Sequence, residues 1–134
     1  MKNISVIILL LLIISCNSKS KLSAGLEYRI VKIDSIENVY LLYAERTDVS
    51  IPNTKIIKIA STKTGYGCKK NRSIIVGHNY KLNLKSLYPE NFVSHHYLGG
   101  ITFNGVYIPF EKDYNIKKNL FSTEDIKGLC YNIK

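Results

Sequence analysis

Tyr80, Leu82 and Leu84 alternate with Lys81, Asn83 and Lys85. This period of two constrains the chain most, because only an extended strand places every second side chain on one face. One face of that strand is expected in a core and the other in water. The apolar residues elsewhere are rich in Ile, Val, Tyr and Phe, which suit a pleated, half-buried surface. Segments 27–33 and 38–46 flank the short polar stretch 34–37, a connection suited to a hairpin. Segment 39–44 is apolar at every position, so its strand should be central, covered on both sides or curled inside a barrel. Pro52 and Asn53 signal a turn before a third strand over 54–61. Asn104-Gly105, set between alternating hydrophobics in 101–110, is a strong hairpin signal, since a type I′ turn needs positive φ at both central positions. Pro109 lacks an amide hydrogen and belongs near a strand end or on an edge.

Two stretches break this pattern. Segment 88–100 reads as irregular, with room for a single helical turn. Near the end, Ser122 stands three residues before Asp125, in the manner of a capping box, and Gly128 can stop a helix, so a short C-terminal helical turn is expected there. The fold expected is mainly β: a small antiparallel barrel or sandwich of five to seven strands, formed by one domain over 25–134.

The amino-terminal segment is of another kind. Residues 4–15 are apolar apart from Ser5 and the closing Ser15, behind the basic Lys2. A dozen helical residues reach about 18 Å, against a hydrocarbon core of about 30 Å. The stretch is too short to span a bilayer and fits a secretory signal over 1–15. Ile13, Ile14, Ser15 and Cys16 resemble the lipobox of bacterial lipoproteins. That resemblance implies cleavage before Cys16, diacylation of its thiol and acylation of the new amino terminus. Two or three acyl chains hold a protein on a membrane stably, where one gives only marginal attachment. Residues 16–24, small, polar and basic, read as a lipidated flexible tether. Asn17 is not aspartate, which by the sorting habit of enteric bacteria favours the outer membrane. The expected location is the cell envelope, with the domain outside the cytoplasm.

With Cys16 given to lipid, Cys68 and Cys130 remain, an even number in an oxidising compartment, and are expected to pair; two reduced buried thiols are the alternative. The chain carries 19 basic and 10 acidic residues, net charge +9, with no lysine run longer than a pair. Scattered lysine gives a soluble surface and, more sharply, attraction to an anionic partner: an acidic envelope protein, a glycan or a lipid head group. Export argues against nucleic acid. The order of hairpin, third strand, cysteine loop, strand and late hairpin, with segment 76–84, resembles the oligonucleotide/oligosaccharide-binding type of barrel used by netrin-like domains. The resemblance implies a barrel; no site is carried over from it.

Catalytic signals are weak. His95 and His96 are adjacent and diverge on either a strand or a helix, and His78 sits in a strand-entry turn, so ordinary surface roles are expected and no metal or cofactor. Glu111 with Asp113, and Glu124 with Asp125, fall in expected turns and caps. Gly65 and Gly67 flank Tyr66 without a third glycine or a following helix, which disfavours a phosphate loop. Tyr88, Phe92, Tyr97 and Tyr107 would cluster if 87–99 folded over the late hairpin, as core margin or as a partner face. The expectation is a membrane-anchored binding domain, not an enzyme. An inhibitor or accessory subunit of an envelope enzyme is the alternative.

Overall fold

The computed structural model describes residues 25–47, 55–88 and 99–132. Cys16, the signal and tether, Pro52, Asn53, Phe92, His95, His96 and Tyr97 lie outside the described residues.

The chain is mainly β, as its alternation predicts. The strands are β1 (Leu26–Ile36), β2 (Val39–Arg46), β3 (Ile57–Thr62), β4 (Asn79–Leu82), β5 (Lys85–Ser86), β6 (Gly100–Phe103), β7 (Val106–Pro109), β8 (Phe121–Ser122), β9 (Ile126–Lys127) and β10 (Cys130–Tyr131). Six form one sheet in the order β4-β1-β2-β3-β8-β5, while β6-β7 and β9-β10 are separate two-stranded ribbons. The large sheet curls into a half-barrel. Its two edges, β4 and β5, are consecutive in the chain with only Asn83 and Leu84 between them. Three Cα steps span at most about 11 Å, so the edges are drawn to one another along a seam.

Asp125, 8 % exposed, clasps that seam: its Oδ2 accepts the Asn83 amide at 2.7 Å and the Thr123 hydroxyl at 3.2 Å. Here the expected helical turn is absent. Ser122 is committed to pairing with Lys85, and Ile126 and Lys127 to pairing with β10, which leaves three residues between the pairings, fewer than one helical turn, and the Asp125 amide donates to the Thr123 hydroxyl. Gly128 does take positive φ, +59°, but as the first central residue of the tight β9-β10 turn.

The other turns follow sequence chemistry. Asn104 and Gly105 both have positive φ, 47° and 79°, in the type I′ pattern, and Pro109 ends β7. The first hairpin is tighter than 34–37 suggests, because β1 continues to Ile36 and Glu37 takes φ 49° in the turn. Within β1, Ile30 pairs with Ala44 and Lys32 with Tyr43, leaving Val31 as an extra residue. This bulge shifts the alternation by one, so that Ile33, not Lys32, follows Ile30 onto the inner face.

The apolar run of β2 is covered on both sides, as expected of a central strand. Leu42 and Ala44 join Tyr28, Ile30, Ile57, Ile59 and Leu82 inside the curl. Val39, Leu41 and Tyr43 face the opposite side, where Val106 and Ile108 of the β6-β7 hairpin and Leu120 cover them. Among the named strands pairing is antiparallel except between β3 and β8, which meet in parallel at Ile59 and Phe121, beside a parallel bridge of Ile56 with Ile116. That pairing follows from the long return of the chain through the covering hairpin.

Candidate functional site

Because β1 and β2 are antiparallel and β3 runs against β2, one end of the curl gathers the start of β1, the end of β2, the start of β3 and the end of β4. This end is an open mouth of about 570 Å³. Its floor is Tyr28, Ile57, Leu84 and Phe121, and its rim is Arg46, Lys55 and Lys117. The rim cations arise from the strand period. Leu42, Ala44 and Arg46 share one face of β2, and Lys55, Ile57 and Ile59 share one face of the β3 segment. Each inner apolar stripe therefore ends in a cation where it meets water.

Among the described residues lining the mouth there is no carboxylate. Glu27 and Glu45 stand at alternate positions and serve the outer face. Glu27 accepts from the Thr47 hydroxyl at 3.0 Å and the Asn79 amide at 3.1 Å, and Glu45 pairs with Arg29. The Lys117 ammonium lies 5.6 Å from the centre of the Phe121 ring, a favourable placement over an aromatic face. A second groove, about 350 Å³, shares Tyr28, Leu84 and Phe121 with the mouth and extends it past Leu26 to Gly25. An apolar floor under a cationic rim can take an anion that carries some apolar body, and the mouths of β-barrels are common ligand positions.

A buried polar cluster lies on the other side of the sheet. Lys58, 2 % exposed, projects from β3 beneath the covering hairpin. Its Nζ donates to the Pro109 carbonyl and to Glu111 Oε1, both at 3.0 Å, and the Tyr43 hydroxyl donates to the same carboxylate oxygen at 2.5 Å. The Tyr43 hydrogen bond, with Lys58, draws the Glu111 carboxyl below its ordinary range, although partial burial opposes this. Burial first, and then the Glu111 hydrogen bond, push the Tyr43 phenol far above its ordinary range. Among the described residues no buried side-chain polar atom lacks a partner, and these bonds tie the hairpin to the sheet.

Cys68 and Cys130 are joined, with Cα atoms 5.3 Å apart. Cys130 reaches Cys68 from strand β10 and not from a helical turn. Segments 72–74 and 129–131 run side by side, with Ile74 N donating to Leu129 O and Tyr131 N to Arg72 O, both at 2.7 Å. Tyr66, at the tip of the same loop, is 87 % exposed, and at Gly65 and Gly67 no neighbour approaches the backbone closely.

Of the expected aromatic cluster, Tyr88 stacks on Phe110 at 6.4 Å between ring centres, and Tyr107 is exposed on β7. Asp113 caps a turn by accepting the Asn115 amide at 2.9 Å, as its position suggests, whereas Glu111 belongs to the buried cluster. His78 is exposed. Among the described residues, no group of three or more His, Cys, Asp or Glu side chains gathers to hold a metal.

Sequence reasoning missed the rim and Lys58. Both carry a signal, a lysine at fixed parity in the 54–61 run: Lys55 continues the inner stripe, and Lys58 shares the covered face with Ala60. No family model, curated protein or solved structure matches the chain.

Proposed function

We propose that the protein is a cell-envelope lipoprotein, anchored through acylated Cys16 with the outer membrane favoured, whose half-barrel binds an anionic partner at its open mouth. The reading is of a binding domain without a catalytic step. The observation that carries it is the rim: Arg46, Lys55 and Lys117 surround an apolar floor that no described carboxylate lines. Dispersed surface lysine gives only diffuse attraction that salt removes, but cations set over an apolar floor hold a partner through contact as well as charge.

The test is capture of envelope components by the full-length protein in mild detergent, compared with the Lys55→Glu/Lys117→Glu variant, at low and moderate salt. Components retained by the native protein at moderate salt and lost by the variant are expected. Identical sets from both proteins would overturn the reading.

A second reading, an inhibitor or accessory subunit of an envelope enzyme, is supported by Tyr66, an exposed aromatic on a loop whose base is held by the Cys68–Cys130 bond. Exposed, pre-organised aromatics are common anchors for protein partners. It predicts one stoichiometric protein partner that Tyr66→Ala releases and the rim variant keeps.

A further inference from the structure

We infer that the cation-rimmed mouth rests on the anionic phospholipid head groups of the membrane that holds the anchor, so that the domain sits mouth-down on its own bilayer. This rests on the proposed reading, both on the Cys16 anchor and on the anion-binding mouth.

The first support is where the chain enters the fold. Gly25 and Leu26 line the groove that continues the mouth. The Gly25 amide donates to Asn83 Oδ1 at 3.1 Å, and a Cβ at position 25 would come within 2.4 Å of the Leu82 carbonyl, so the backbone is pressed against the seam there. The segment leading back to Cys16 thus leaves the domain beside the cationic rim. Nine Cα steps from Cys16 to Gly25 reach at most about 32 Å. The tether therefore joins the domain on the side of the rim.

The second support is charge. The field of anionic head groups fades within a Debye length, about 8 Å at physiological salt, so cations at the far end of the domain would not feel it. Lys63 is at that far end, its amide bonded to the carbonyl of Asn38 in the β1-β2 turn. Lys55 and Lys117 are at the near end.

The third support is the shape of the site. The mouth is a shallow, open groove, poorly suited to retaining a dilute soluble anion. A covalently tethered surface meets its membrane at an effective concentration in the millimolar range, at which a weak site is filled. Leu26, 44 % exposed at the rim, offers an apolar side chain at head-group depth.

Lysine footprinting tests the inference directly. The full lipidated protein is placed in phosphatidylcholine vesicles with and without phosphatidylglycerol, and acetylation of individual lysines by an amine-reactive ester is followed by mass spectrometry. On anionic vesicles Lys55 and Lys117 should react about fivefold more slowly, the scale on which one cation gains from an anionic surface, while Lys63 is little changed. High salt should abolish the difference, and in Lys55→Glu the protection of Lys117 should be lost. Equal labelling on both vesicles, uniform slowing at all three lysines, or protection that survives Lys55→Glu would overturn the inference. If the mouth stays unprotected on vesicles while envelope capture still depends on Lys55 and Lys117, the head-group inference falls and the anion-binding mouth stands, its occupant then being a glycan or an acidic protein. Failure to float with either vesicle would remove the anchor, and the inference with it.

Discussion

Replacing Cys68 and Cys130 together by serine is expected to lower the free energy of unfolding by about 4 kcal/mol, and the melting temperature by on the order of 15–20 °C. The bond joins residues 62 apart, and without it the unfolded chain regains the conformational entropy that such a long closed loop takes away. The loss should fall on the unfolded chain more than on native contacts, because the flanking segments already pair: Ser73 bridges Cys130, and Ile74 is buried in the inner core. The double variant should therefore fold to the same structure with a lower midpoint. Thermal melts of the oxidised protein and the variant, with circular dichroism for secondary structure, measure this. A loss below about 1 kcal/mol would mean that the unfolded chain is already compact around this loop.

The second large effect belongs to the buried cluster. Glu111→Ala is expected to cost about 2–3 kcal/mol, since it leaves the Lys58 ammonium at 2 % exposure with the Pro109 carbonyl as its remaining acceptor among the contacts of the cluster. The value is placed below the roughly 3–5 kcal/mol of a fully buried broken pair because Glu111 itself is 34 % exposed and water reaches that side. Lys58→Met combined with Glu111→Leu should recover most of the loss, as apolar replacements of buried pairs commonly do.

The pH dependence has a matching sign. Glu111 titrates lower in the folded protein than its ordinary 4.5, so its contribution is present above that pH and is lost as pH falls through the lower folded value. Tyr43 titrates higher than its ordinary 10.0, so its contribution is present below about pH 10 and is lost on further rise. Urea unfolding from pH 3 to pH 11 should show both shoulders in the native protein, whereas in the double apolar variant the acid shoulder should be lost and the alkaline one reduced, since burial still raises Tyr43 there. Shoulders of equal size in the two proteins would contradict the assignment.

The strand positions were legible wherever side-chain parity and burial agree. Tyr80, Leu82 and Leu84 are partly or fully buried while Lys81, Asn83 and Lys85 are exposed, and Asn104-Gly105 turned as its chemistry requires. The apolar run of β2 also announced a strand covered on both faces. What could not be read was tertiary. Ser122 and Asp125 satisfy a local helix-cap pattern, but strand pairing on both sides outweighs one short turn, and Asp125 serves the seam instead. Val31 is an extra residue that no local signal marks, and it changes which of Ile33 and Lys32 faces inward. Lys58 looked like surface lysine because nothing nearby in sequence announces its partners, Tyr43 and Glu111, which come from another strand and from beyond the late hairpin. The mouth combines residues from the starts and ends of four strands with Lys117, so its charge emerges only once the sheet has curled.

The most direct measurement is mass spectrometry of the amino-terminal peptide of the protein purified after expression in a bacterial host. The account predicts a chain that begins at Cys16 and carries a thioether-linked diacylglycerol, with an amide-linked acyl chain on its new amino group. A peptide that begins at Met1, or a Cys16 free of lipid, would contradict it, and the mouth would then have no membrane held against it.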